Sequence, residues 1–218
     1  MSETREIVVD AGTASLPAFL TLPAEACGLV VFVHGSGSSR FSSRNRYVAE
    51  VLNAGGLATL LFDLLTPDEN EEDLITRQWR FDIPLLGQRT TATVDWTATR
   101  PELAALPLGL FGASTGAAAA LIAAAERPER VGAVVSRGGR PDLALEVLPR
   151  VRAPTLLIVG GWDTPVIGMN RQAAAALTQA PHELAIVEEA THLFEEPGKL
   201  DEVAALARDW FLHHLCKQ

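Results

Sequence analysis

The chain has 218 residues, a formal net charge of -9 and 48% hydrophobic residues, enough for one sizeable core and short for two, so a single domain over residues 1–218 is expected. The acidic balance argues against a nucleic-acid surface, because binding phosphates takes a positive face, and no apolar run is long enough to cross a bilayer. Cys27 and Cys216 lie near opposite ends with no metal-type spacing, and the charged start Met1-Ser2-Glu3-Thr4-Arg5-Glu6 lacks the apolar stretch of an export signal, which predicts free thiols, no metal site and a cytoplasmic protein.

Residues 6–10 and 16–22 read as two short strands joined at Ala11-Gly12 as a hairpin, with Pro23 closing the second. Residues 28–34 form a continuous apolar strand of the kind buried on both faces, and residues 45–54 follow as a helix with Tyr47, Val48, Val51 and Leu52 on one stripe. A strand at 57–62 leads into 64–80, an acidic stretch with Pro67 near its start that reads as irregular. Then come a helix at 83–98, a strand at 108–111, a helix at 115–125 and a strand at 131–135. Residues 138–151, with Pro141 and Pro149, read as a second loop before a strand at 155–159, a helix at 171–179, a strand at 184–187 and a helix at 200–215. This alternation predicts an α/β fold in which a mostly parallel eight-stranded sheet, with an antiparallel N-terminal hairpin, carries helices on both faces. Neither irregular stretch is large enough for a cap domain. The alanine runs at 117–120 and 173–176 are helix faces suited to close packing on a sheet.

In such a sheet the ligand crevice lies at the carboxyl ends of the strands, so reactive side chains just after strands are the candidates. Ser114 stands in Gly112-Ala113-Ser114-Thr115-Gly116, where a strand turns sharply into a helix and the glycines remove side chains that would collide. Asp163 follows its strand through Gly160-Gly161-Trp162, and His192 follows the last strand through Glu188-Glu189-Ala190-Thr191. Serine, acid and histidine in that order are a known arrangement of nucleophile, orienter and base. Asp63, Glu188 and Glu189 remain alternative orienters, and His34, opening His34-Gly35-Ser36-Gly37-Ser38, is expected to be a structural hydrogen-bonding group. That glycine-rich segment lacks both a following Gly-Lys-Ser/Thr and a GxGxxG pattern, which argues against nucleotide binding.

His34-Gly35 with its Ser-Gly-Ser, the Gly112 to Gly116 elbow, Gly160-Gly161-Trp162-Asp163 and Thr191-His192 together resemble an α/β-hydrolase, and the small capless plan is similar to the dienelactone-hydrolase-like branch. The resemblance covers essentially the whole chain and implies acyl transfer without a cofactor or metal. Ser114 would attack a carbonyl, His192 would move its proton, Asp163 would hold the imidazole, and backbone amides of Thr115 and Ser36 would meet the oxyanion. One departure is plain: dienelactone hydrolases proper carry a cysteine nucleophile, and Ser114 here points away from dienelactone itself as substrate.

The expected substrate is a small ester, lactone or thioester. Arg40, Arg44, Arg46, Arg77, Arg80, Arg137 and Arg140 cluster near the functional edge, which suits an anionic substrate, the alternative being ion pairs with Glu195, Glu196 or the acidic 68–73 run. Arg137, Arg40 and Trp162 are the candidate substrate contacts. A binding or regulatory protein on the same fold, or an acyltransferase or perhydrolase using the same three residues, stays open, as does the oligomeric state.

Overall fold

The computed structural model describes residues 3–216, so Met1 and Ser2, the start of the segment read for an export signal, lie outside it. The eight strands are β1 (Thr4–Asp10), β2 (Ser15–Thr21), β3 (Gly28–Val33), β4 (Leu57–Phe62), β5 (Leu108–Ala113), β6 (Val131–Arg137), β7 (Thr155–Gly160) and β8 (His182–Val187). They form one sheet in the order β1-β2-β4-β3-β5-β6-β7-β8. β1 pairs with β2 and β2 with β4 antiparallel, and every pair beyond is parallel. The predicted hairpin and eight-stranded α/β plan are what the chain adopts.

Strands β3, β4, β5 and β7 are buried throughout because helices cover both sides, which explains why they read as continuous apolar runs. One face packs on α3 (Ile83–Ala98), α5 (Thr115–Glu126) and α6 (Thr164–Ala176), the other on α1 (Ser43–Ala54) and α7 (Lys199–Leu215). The alanines of α5, nearly all fully buried, let that helix lie close to the sheet. Among the described residues no helix is long and apolar enough to cross a membrane.

Three expectations need correction. The 64–80 stretch contains a helix, α2 (Pro67–Thr76), opened by a capping box in which the Glu69 amide donates to Thr66 Oγ1 and the Thr66 amide donates to Glu69 Oε2. Thr-Pro-Asp-Glu is a helix-start signal, and the acidic run that suggested a loop supplies first-turn charges favoured by the helix dipole. Helix α6 begins at Thr164, seven residues before the expected 171, because Pro165 sits in its first turn rather than ending a loop. The 138–151 stretch is the expected loop, with two short 3-10 turns within it, Pro141–Ala144 and Leu148–Arg150, and a four-residue α4 (Pro101–Ala104) precedes β5.

The cysteines are the third correction: Cys27 and Cys216 form a disulfide, so neither is a free thiol, and the cysteine count lends no support to a reducing compartment. Sequence distance hid the pair. Helix α7 crosses back over β3 and β5, and its last turn lands on the start of β3, where Leu215 lies against Gly28.

Candidate active site

Ser114 joins β5 to α5 with φ at +50° and ψ at -123°, a positive-φ backbone that residues bearing a side chain rarely adopt. Such backbone strain persists only where the surroundings fix it. A Cβ at residue 112 would stand 2.5 Å from the Ala117 Cα, and one at residue 116 would stand 2.2 Å from the Val33 carbonyl oxygen. The two glycines therefore allow α5 to pack against β5 and the end of β3. The Ser114 amide donates to the Arg137 carbonyl (3.2 Å), and its own carbonyl accepts from the Ala117 and Arg140 amides. The elbow is held from β6 as well as from its own helix.

Asp163 is the N-cap of α6, yet its carboxylate makes no capping bond. Oδ2 instead lies 2.6 Å from His192 Nδ1. In the neutral imidazole this makes Nδ1–H the donor and leaves Nε2 as an acceptor for a nucleophile's proton. The two loops are tied together independently, the Trp162 amide donating to the Ala190 carbonyl and the Gly161 amide to that of Val187. Glu196 braces the histidine loop from the other end by accepting from the Thr191 amide, and those bonds from Thr191 hold its carboxyl below the usual range. Phe194, with φ at +55°, buries its ring in the core just past His192.

The His192 ring edge passes within 3.5 Å of the space beside Gly138, the residue after the carbonyl that holds the Ser114 amide. Serine, acid and histidine thus gather at one rim. The hydrogen bond present is the one between Asp163 and His192; the Ser114 hydroxyl is not bonded to His192 in this structure.

The rejected candidates have other occupations. Asp63 accepts from the Arg40 amide (2.6 Å) and pairs with its guanidinium, and so is not the partner of His192. The His34 ring is buried, its Nδ1 on the Gly35 carbonyl and its Nε2 accepting from the Leu64 amide, so it is a neutral tie between the ends of β3 and β4. Burial holds its pKa below the usual imidazole value, against the Gly35 carbonyl and the Asp63 charge, which favour the cation.

The expected substrate contacts fare poorly. Arg40 is committed to Asp63 and Glu6 and is flanked by the Phe19 and Phe41 rings, so its charge is already matched. Arg137 is 5% exposed. It shares the β6 face of Ala133 and Val135, so its side chain runs under α1, where Nη2 donates to Asn45 Oδ1 (3.1 Å), and not into the crevice. Trp162 stands at the rim, 61% exposed, and packs no core. Ion pairing claims three further arginines: Arg44 with Glu195, Arg80 with Asp73 and Arg140 with Asp142. Arg80 nonetheless lies over the oxyanion-side loop, Nη1 being 3.0 Å from where a Gly37 side chain would begin.

The two amides expected at the oxyanion differ. That of Thr115 opens α5 and has no intrahelical acceptor. The Ser36 amide donates instead to Thr115 Oγ1 at 2.9 Å, a bond between residues 79 apart that no local motif signals. Beside this loop, a cavity of about 330 Å3 is lined by His34, Ser38, Arg40, Asp63 and residues of α2, among others.

The comparisons agree with this architecture. The family model described as the dienelactone hydrolase family matches residues 16–214. A dienelactone hydrolase from Anabaena variabilis ATCC 29413 has a solved structure with a TM-score of 0.97 and 57% identity, covering 98% of this chain and 99% of that one. Est1E from Butyrivibrio proteoclasticus, at 18% identity and a TM-score of 0.78 over 96% of this chain and 98% of its own, shares the fold. Two curated proteins of Mycobacterium tuberculosis, named provisionally as a phosphoribosyl transferase, are 56% identical over 211 residues, which is 97% of this chain but 46% of theirs. With its α/β-hydrolase fold and a family match running from β2 nearly to the end of α7, the chain belongs to the dienelactone hydrolase family.

Proposed function

We propose that the protein is a serine hydrolase that cleaves a small ester, lactone or thioester through an acyl-enzyme intermediate. The observation that carries this reading is the 2.6 Å bond between Asp163 and His192 on the rim that also presents the strained Ser114 elbow. Ser114 Oγ attacks the carbonyl carbon while His192 Nε2 takes its proton; the tetrahedral oxyanion collapses, the C–O or C–S bond to the leaving group breaks, and His192 returns the proton to it. Water then repeats the sequence and releases the acid. Asp163 keeps Nδ1 protonated throughout and stabilises the imidazolium.

The name of the Anabaena protein supports lactones within the substrate range, while the pairing of Arg80 with Asp73 leaves no unmatched arginine charge there to favour an anionic acyl group. The phosphoribosyl transferase name attaches to proteins of which this chain spans less than half. We assign that activity to their remaining length and the hydrolase activity to the part shared here. Release of pyrophosphate from phosphoribosyl pyrophosphate by this chain alone would reverse that assignment.

The test is hydrolysis of p-nitrophenyl acetate and butyrate by wild type and Ser114→Ala. Loss of the nucleophile is expected to lower kcat by about 10⁴-fold or more. Equal rates would remove the proposal, and failure of a fluorophosphonate probe to label Ser114 would favour a binding protein on this fold.

A further inference from the structure

Resting on Ser114 as the nucleophile, we propose that the Thr115 hydroxyl is a second oxyanion donor beside the Thr115 amide, standing in relay between the Ser36 amide and the substrate oxygen. Thr115 is 5% exposed and its Oγ1 accepts the Ser36 N–H at 2.9 Å. That amide is therefore turned to a side chain and not directly to the crevice. A hydroxyl has one proton to give in addition to the lone pairs it offers. Threonines within helices commonly return that proton to a carbonyl one turn back, as Thr90, Thr91 and Thr93 of α3 do to Leu86, Gly87 and Arg89. Thr115 is the first residue of α5, where one turn back is strand, and among the described residues its proton has no acceptor.

The position suits the task. Ser36 follows Gly35, whose side-chain space lies 3.1 Å from the Ser114 Cβ, so the bonded amide and hydroxyl border the nucleophile. Accepting from the Ser36 amide polarises the Thr115 O–H and fixes its rotamer, and the neighbouring Thr115 amide points from the same helix end. Residue 115 thus offers the oxyanion two donors, one main-chain and one side-chain, while Ser36 acts through the hydroxyl. No proton changes owner; the hydrogen bonds shorten as charge develops on the carbonyl oxygen.

The experiment compares wild type, Thr115→Val, Thr115→Ser and Ser114→Ala on p-nitrophenyl acetate, with thermal midpoints for each. Thr115→Val keeps shape and removes the hydroxyl; its kcat is expected to fall on the order of 10²-fold with KM little changed, the usual size for one oxyanion donor. Thr115→Ser restores turnover to within a few-fold of wild type. Turnover of Thr115→Val equal to or above wild type would overturn the relay, because the freed Ser36 amide would then be serving the oxyanion directly. A raised KM with a lowered midpoint and no rescue by serine would also overturn it, in favour of a merely structural latch. If Ser114→Ala is inactive while Thr115→Val is unimpaired, the relay alone fails; if Ser114→Ala is fully active, the nucleophile reading fails with it.

Discussion

Arg137 carries a cost that its neighbours do not offset. It is 5% exposed, it holds one bond to a neutral amide, its Nε has no partner, and burial together with the Arg44 charge lowers its pKa to about 10. Relative to an ordinary guanidinium that depression corresponds to roughly 3 kcal/mol against folding at every pH below about 10, since the unfolded chain binds the proton more tightly. Arg137→Met removes the charge but strands Asn45 Oδ1, a loss of about 1–3 kcal/mol. Thermal denaturation is therefore expected to find the variant between neutral and about 2 kcal/mol more stable; destabilisation beyond that would mean the cation has support not visible in its contacts. Gly116→Ala has the opposite sign, because two backbone oxygens within 2.4 Å of the new methyl cannot yield as a side chain would, and no folded, active protein is expected on size exclusion and esterase assay. This contrast also marks what single residues reveal in a sequence. Gly112, Ser114 and Gly116 announce themselves because a tight elbow needs those types within five positions, whereas Arg137 looked like a substrate contact because alternation along β6, ending at the rim, decides its side only once a helix is known to cover each face.

Among elements, the strands were legible to within two residues at either end, and the central ones best, since full burial demands unbroken apolar runs. Helix α2 was not, because its stability resides in ends and ion pairs and not in an apolar stripe: Leu74 and Ile75 are 69% and 86% exposed. Its carboxylates are its anchors. Glu69 is bound by Arg89, and the nearly buried Asp73 accepts from the Trp79 and Arg80 amides and from Arg80 Nε. The bond from Arg89 holds the Glu69 pKa low; at Asp73 burial pushes the pKa up, and the Arg80 and Trp79 bonds outweigh it. A different link ties β3 to the segment after β4, the neutral His34 ring. Its folded pKa is depressed, so the unfolded chain takes up a proton first, and the stability contributed is complete above about pH 6.5 and lost as the pH falls from there toward the folded value. Urea titrations from pH 7.5 to 5 should show the midpoint falling in wild type and falling less in a His34→Gln background, where partial burial of His214 beside His213 leaves a smaller slope of the same sign. Parallel slopes in the two proteins would remove His34 from that account.

At the scale of the molecule the disulfide and the candidate site occupy opposite edges of the sheet. Cys27 precedes β3, at the amino ends of the parallel strands, while Ser114, Asp163 and His192 follow the carboxyl ends of β5, β7 and β8. The bridge spans 189 positions, and in the chain-entropy view closing a loop that long removes roughly 5 kcal/mol of disorder from the unfolded state, more than most native bridges deliver. Nothing in the sequence could pair the two thiols, since only the return of α7 across the sheet brings them together; the same return supplies the second face of the core through Val203, Ala207 and Phe211. The Cys27→Ser/Cys216→Ser variant should therefore lose about 2–5 kcal/mol, a drop on the order of 5–15 °C in thermal midpoint for a chain of this size, and reductant should move wild type toward the same value. Its kcat on p-nitrophenyl acetate at 25 °C should match wild type, because α7 stays packed along its length and the rim is held by the loops of β7 and β8 with their own hydrogen bonds. A variant with an unchanged midpoint would show that the bridge constrains nothing the folded core does not already fix, and one with a normal midpoint but impaired turnover would mean that the two edges communicate through α7.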